Sequence, residues 1–426
     1  MALPLAIRAL RSRSYRLFVA GQLISLVGTW MQMVAQSWLI YRMTGSAALL
    51  GLLGFAGQIP VFVLAPLGGV IADRVSRHRV LVTTQTTMMA LAAALSVLTL
   101  SGRVQVWHLF ALASLLGIAN AFDIPTRQAF VIEMVQREDL MNAIALNSSM
   151  VNGARVVGPA VAGVVVAAVG EGWCFFLNAV SYVAVIGALL LMRLPRRPRA
   201  TPQASAWASI VEGFVFSWQT TPVRALLLLL GLVSLMGMPY SVLMPIFADR
   251  ILAGGPNTYG LLMSASGVGA LAGAATLTVR RHIRGLGRWV ALSATGFGVS
   301  LIAFSFSRSL WVSALLLVPA GFCMMVEMAA SNTLIQAMVP DRLRGRVMAV
   351  YSMMFMGMAP LGALIAGALA APLGAPATVA IGGVACIAGG VVFGARLPTL
   401  RGPARELIVA QQPSAGAPPD DAVRAT

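Results

Sequence analysis

Twelve apolar stretches, each long enough to cross a bilayer, fill this chain, and its charges fall almost entirely between them. A hydrocarbon core about 30 Å thick needs about 20 apolar residues per helix. The stretches read as spans at 17–40, 49–71, 80–100, 107–124, 143–169, 173–192, 225–247, 259–279, 289–306, 310–335, 347–372 and 377–394. With 58% hydrophobic and only 10% charged residues, an ordinary soluble domain is excluded. The sequence predicts an all-α membrane protein, and its informative residues are those that break the apolar rule.

All thirty basic residues are arginine. With the N-terminus placed in the cytoplasm, twenty-five lie in inside segments and four outside, namely Arg42, Arg103, Arg250 and Arg308. Arg155 alone remains within a span. The asymmetry predicts both termini in the cytoplasm of a bacterial inner membrane. A net charge of +17 raises nucleic acid as a partner, but the charge is dispersed over short membrane-flanking loops, so anionic lipid is expected and nucleic acid is not. Cys174, Cys323 and Cys386 lack CxxC spacing and read as small buried hydrophobes, with no metal or disulfide role. The basic segment 1–16 is not followed by a short apolar region with a small-residue cleavage site, so no removable signal peptide is expected.

The chain divides near its middle. Six spans in 17–192 and six in 225–397 flank a linker, 193–224, rich in Arg and Pro, and 398–426 reads as a disordered tail. Within the linker, Trp207, Ile210, Val211, Phe214 and Trp218 share one helical face, predicting a surface helix. The halves repeat a segment: Gln136-Arg-Glu-Asp-Leu140 precedes a span with Gly158-Pro159, and Pro340-Asp-Arg-Leu343 precedes one with Ala359-Pro360. Six plus six spans with a half-length repeat predict two pseudo-symmetric bundles.

Between spans two and three stands Gly69-Val-Ile-Ala-Asp73-Arg74-Val-Ser-Arg77-His-Arg79. Gly69 permits close packing, and Asp73 with the neighbouring cations can make charge-assisted contacts that lock the bundles on the inside. The run resembles the loop signature of the major facilitator superfamily, with Ser76 where that pattern usually has Gly. The resemblance implies that Asp73 faces the N-terminal end of span eleven, near Arg346, and that Asp123 joins a charge relay with Arg77. The matching loop of the second half holds Leu277 at the acid position, so the first half is expected to carry the dominant lock. Span five, with Ala145, Ala154, Gly158, Pro159, Ala162 and Gly163, resembles the small-residue pattern of the superfamily's antiporters, which implies export. Small residues there permit close helix approach, and Pro159 frees a backbone carbonyl. The segments Pro125-Thr-Arg-Gln-Ala-Phe130, Asn142-Ala-Ile-Ala-Leu-Asn147 and Arg155-Val-Val-Gly-Pro159 resemble the branch of enterobactin-exporter-like and transmembrane secretion effector proteins.

Few charged residues lie within the spans. Arg155 must face a cavity or a partner, because a charge at the bilayer centre costs at least about 2.5–3.5 kcal/mol. It binds an anionic substrate group, neutralises a protonatable carboxylate, or ties helices together through polar residues such as Asn152 or Gln36. Glu327 is the carboxylate placed inside the second half and the candidate proton carrier. Gln32 and Gln36 share a face of span one between Trp30 and Trp38 and are expected, with Arg155 and Glu327, to line a substrate cavity. No Walker A pattern, zinc-ligand spacing or nucleophile elbow is present, so no enzyme activity or cofactor is expected. The expected protein is a monomeric exporter of a small siderophore-like or drug-like compound, coupled to protons. A lysophospholipid flippase and a non-transporting sensor or scaffold of the same fold are the alternatives.

Overall fold

A computed structural model describes residues 5–192, 206–280 and 283–411. Among these described residues, twelve helices are long and apolar enough to span a membrane. Those of the first half are α1 (Arg13–Thr44), α2 (Ala47–Arg74), α3 (Arg77–Leu100), α4 (Val106–Met134), α5 (Leu140–Val169) and α6 (Glu171–Leu191). A linker helix, α7 (Ala206–Gln219), precedes the second half: α8 (Thr221–Ile251), α9 (Gly255–Val279), α10 (Leu286–Phe306), α11 (Leu310–Met338), α12 (Asp341–Leu373) and α13 (Ala375–Gln411). The helix termini follow local chemistry. Ser12 and Ser46 accept the Tyr15 and Leu49 backbone N–H groups at the starts of α1 and α2, and Gly45 ends α1 at φ +63°, a conformation without steric cost for glycine.

Packing repeats between the halves. In the first, α1 lies on α6, α2 on α4, and α3 on α4 and α6; in the second, α8 lies on α13, α9 on α11, and α10 on α11 and α13. Across the interface, α5 packs on α9 and α2 on α12, and the pseudo-twofold exchanges these two contacts. Glycines set how near each pair comes. A methyl group on Gly260 would lie 2.5 Å from the Pro159 carbonyl oxygen, and one on Gly367 would lie 2.8 Å from the Gly51 Cα. With no hydrophobic force between helices in lipid, such backbone approach is the source of attraction.

Two expectations change. α13 continues to Gln411, so 398–411 is helical where an irregular tail was expected; residues 412–426 lie outside the described set. Leu397, Leu400, Ala404, Leu407 and Ile408 recur at helical spacing and pack on the core, which offsets Pro398 and Pro403. Spans seven and eleven are also not continuous α-helices. α8 carries π-turns at Val233–Gly237 and Phe247–Ile251 with a 3-10 segment, Met238–Ser241, between them, and α12 carries a π-turn at Met353–Gly357. Ser234 Oγ donates to the Phe355 carbonyl at 2.5 Å, joining the two π-turns that face each other.

The linker helix is tied to the start of span eleven. Glu212 pairs with Arg342 and Arg346, and a methyl group on Gly213 would lie 2.7 Å from the Arg346 carbonyl oxygen. Val211, Phe214, Val215 and Trp218 remain exposed, giving α7 an uncovered apolar face.

Candidate transport site and gates

Most of the helix ends beside arginine-rich loops lie at one end of the molecule, the arginine-rich end; the ends of α1, α8 and α12 lie at the other. At the latter, the bundles are bolted together. Tyr41 Oη donates to Asp249 Oδ2 at 2.9 Å, from α1 to α8. Arg250 lies over the Tyr41 ring at 5.8 Å and donates to the Gly45 carbonyl at 3.1 Å. One turn earlier on α1, Trp38 stacks on Tyr259 of α9 with ring centroids 6.2 Å apart. Arg42 is held within the first bundle by Glu171 at 2.8 Å. Sequence reasoning singled out none of these pairs; Tyr41 and Asp249 are separated by 208 positions.

The arginine-rich end is different. A methyl group on Gly69 would meet no atom within 4 Å, and the same holds for Gly345. The expected close-packing role of Gly69 is therefore corrected: its neighbour Gly68 makes the close approach, with a methyl there 3.2 Å from the Phe122 Cα, and the contact is inside the first bundle. The side chain of Asp73 lies outside the described residues. Arg74 and Arg79 are exposed. Arg77 donates to Glu133 at 2.9 Å and to the Ala129 carbonyl at 3.3 Å, both on α4.

Asp123 is buried, and the expected pairing with Arg77 is not what forms. Asp123 Oδ1 accepts from Thr84 Oγ1 at 2.9 Å and Gln85 Nε2 at 2.8 Å, and Oδ2 faces Arg127, one turn along α4, at 3.5 Å. An i,i+4 cation on the same helix reaches the carboxylate without leaving α4, whereas Arg77 must cross from the start of α3 and meets Glu133 first.

At mid-depth, Arg155 reaches across the bundle interface. Its Nη2 lies 3.8 Å from Met324 Sδ on α11, and its guanidinium sits over the Trp30 ring of α1 at 5.6 Å from the centroid. Tyr240, on the broken α8, lies within electrostatic reach, and its hydroxyl is 2.6 Å from Ser266 Oγ. Asn152 and Gln36 are not partners of Arg155: Asn152 donates to the Ser148 carbonyl and Gln36 to that of Leu109. The cavity role expected of Gln32 and Gln36 is corrected as well. Gln32 accepts from Asn178 of α6 at 2.6 Å, Gln36 reaches α4, and both are buried inside the first bundle.

Glu327 stands one turn beyond Met324, 1% exposed, and turns into the second bundle. Its recorded partner is Ser331 Oγ at 3.4 Å, and Tyr351 and Cys386 lie close enough to sense its charge. It does not reach Arg155 at the seam between the bundles. Along span five, Ala154 and Gly158 pack against α1, and a methyl on Gly158 would lie 3.0 Å from the Val27 carbonyl oxygen. Ala162 is buried, Pro159 and Gly163 face α9, and Ala145 is exposed. Among the described residues, no group of three or more His, Cys, Asp or Glu side chains is placed to hold a metal.

The family model described as transmembrane secretion effector matches residues 5–413. The chain belongs to that family. Transmembrane secretion effectors are major facilitator superfamily transporters rather than enzymes, and this member is a multi-pass membrane protein that transports a small organic compound. It is 25% identical over 381 residues to the staphyloferrin A transporter of Staphylococcus aureus, covering 88% of this chain and 94% of that one. It is 28% identical over 372 residues to the multidrug efflux pump Tap of Mycolicibacterium fortuitum, covering 85% and 90%. To the enterobactin exporter EntS of Shigella boydii it is 26% identical, covering 89% and 91%. Among solved structures, a POT family transporter in complex with 5-aminolevulinic acid superposes with a TM-score of 0.76 at 11% identity, over 91% of this chain and 97% of that one. The nucleoside transporter NupG superposes with a TM-score of 0.68 at 14% identity, over 92% and 99%. At these identities the likeness carries the fold alone.

Proposed function

We propose that this transmembrane secretion effector is a proton-coupled exporter that works by alternating access, with its arginine-rich end in the bacterial cytoplasm. The observation that carries the reading is one-sided closure. The bundles are latched by Tyr41–Asp249, Arg250–Gly45 and Trp38–Tyr259 at one end, while at the other the ion pairs Arg77–Glu133 and Arg127–Asp123 stay within the first bundle and Arg346–Glu212 ties span eleven to the linker helix. Twenty-five of thirty arginines fall in the sequence segments that flank that end, which supports placing it inside. The conformation is then the inward-open one, ready to take substrate from the cytoplasm. Export follows when the segments 17–192 and 225–397 rock about the α5–α9 and α2–α12 crossings and the latch parts.

In this reading Asp73, with Arg74, Arg77 and Arg79, closes the cytoplasmic side in the alternate state, and Glu327 carries the exchanged proton. Siderophore and drug transport by the relatives supports a substrate of that size class. Broken helices at α8 and α12 support a mid-depth binding site, since π-turns release backbone groups where a helix lines a site.

Everted membrane vesicles test the direction. On energisation with an acid interior they present the cytoplasmic face outward, so a hydroxycarboxylate or catecholate siderophore, or ethidium, is expected to accumulate inside and to leak when a protonophore is added. Accumulation only in right-side-out vesicles would reverse the assigned direction, and accumulation indifferent to the protonophore would remove the proton.

A further inference from the structure

Arg155 is the feature the fold does not explain. It is half-buried at mid-depth on α5, at the seam between the bundles, and among the described residues no carboxylate lies within ion-pair distance of it. Asp123 and Glu171 are compensated, the first by Thr84, Gln85 and Arg127 and the second by Arg42, while the buried Glu327 faces the second bundle and Ser331 rather than Arg155. Arg155 has instead a thioether, the Met324 sulfur, and an indole face, Trp30. A thioether is a weak acceptor and a ring face attracts a cation without saturating its donors. The fixed fork of N–H donors therefore has no oxygen acceptor among the described residues, in a place where an unpaired charge is costly.

The surroundings are specific as well as incomplete. Trp30 belongs to the first bundle and Met324 and Tyr240 to the second, so a ligand held by the guanidinium touches both bodies that must move. Pro159 lacks the N–H that would otherwise bond the Arg155 carbonyl, and Gly267 of α9 lies beside that carbonyl. The fork therefore sits at a point where α5 is loosened and α9 approaches. The flat Trp30 ring on one side and the Met324 sulfur on the other suit an apolar body beyond the charge.

The geometry points to Arg155 as the recognition site for an organic anion, a carboxylate or catecholate whose oxygens take the fork while its aromatic or aliphatic body lies on Trp30 and against Met324. The inference rests on the transport reading above and narrows its substrate to anions. When the anion binds, the uncompensated charge gains its partner, so substrate removes a cost that the empty site carries. The cationic alternative is disfavoured by the same charge, since an organic cation meets repulsion.

The test uses the full-length protein in detergent and in nanodiscs, with salicylate and citrate as anionic probes, salicylamide as the uncharged analogue and rhodamine 6G as the cation. Binding is read from intrinsic tryptophan fluorescence and thermal shift. Salicylate is expected to bind the native chain and to lose about ten- to a hundred-fold in affinity in Arg155→Gln, the range expected for charge-assisted hydrogen bonds. Arg155→Lys is expected to retain part of that affinity, and Trp30→Leu to weaken salicylate more than citrate. The melting temperature of empty Arg155→Gln is expected to equal or exceed that of the native chain, because an unpaired charge has been removed. A fall in stability with unchanged salicylate affinity would make Arg155 a packing residue and overturn the proposal. So would rhodamine 6G or salicylamide binding the native chain more tightly than salicylate. Vesicle flux separates the two readings. Anion binding that needs Arg155 without any flux would sustain the site and sink transport. Flux of rhodamine 6G that is indifferent to Arg155→Gln would sustain transport and sink the anion site.

Discussion

Gly163→Leu is expected to abolish export while leaving a folded, monodisperse protein. The residue lies at the α5–α9 crossing, where a methyl group would stand 3.0 Å from the Pro256 carbonyl oxygen, 3.2 Å from the Gly260 Cα and 3.3 Å from the Asn257 Cα. Those neighbours are backbone atoms of a helix from the other bundle, and they cannot rotate away. Overpacking of this kind costs about 1–3 kcal/mol. The cost falls on the latched conformation rather than on either bundle's own core, so it shifts the conformational equilibrium by about ten- to a hundred-fold. A graded series checks the assignment. Gly163→Ala should be mild, Gly260→Ala worse because its methyl would be 2.5 Å from the Pro159 carbonyl oxygen, and Gly163→Leu most severe. Initial export rates normalised to membrane-inserted protein give the order. Equal activity across the series would mean that this crossing does not set the transport cycle.

Glu327→Gln is expected to remove accumulation driven by a pH gradient and to leave passive substrate exchange largely intact. The carboxyl is 1% exposed, holds one weak hydroxyl contact and has no cationic partner among the described residues. Glutamine keeps the shape and the hydrogen-bonding capacity but cannot carry the proton. Met324, the residue touching Arg155, lies one turn away on the same helix, so substrate at the fork and proton at the carboxyl are placed to sense each other through α11. Proteoliposomes with an imposed gradient measure the driven component, and counterflow at equal pH measures the exchange. Full gradient-driven accumulation by the variant would move the proton to another group, with Asp123 the next to test.

Much of the architecture was legible in the sequence because membrane insertion reads local composition. Twelve spans, the half-length repeat and the linker helix each follow from apolar runs and spacing over tens of residues at most. The gates were not legible for the opposite reason. Tyr41 and Asp249, and the Gly51–Gly367 and Gly163–Gly260 crossings, join residues far apart in the chain and of types that occur throughout it. Gln32 and Gln36 illustrate how a sound pattern misleads: two amides on one helical face mark a polar surface, but in a bundle each face meets a neighbour, and here Asn178 and the Leu109 carbonyl took them. Asp123 shows local chemistry prevailing over a resemblance, since Arg127 on its own helix sits nearer than Arg77. Arg155 was legible as an anomaly, and only the fold shows that the partners around it are a ring and a thioether.

The central claim is reciprocal opening, and double electron–electron resonance measures it directly. With Cys174, Cys323 and Cys386 replaced by alanine, one spin-label pair is placed at Ala48 and Leu373, on the exposed faces of α2 and α12 at the latched end. A second pair is placed at Met141 and Val279, exposed on α5 and α9 at the arginine-rich end. Across conditions of pH and substrate, the first distance is expected to lengthen whenever the second shortens, with the empty protein holding the first pair close. Two distances that stay constant, or that change together in the same direction, would contradict the account.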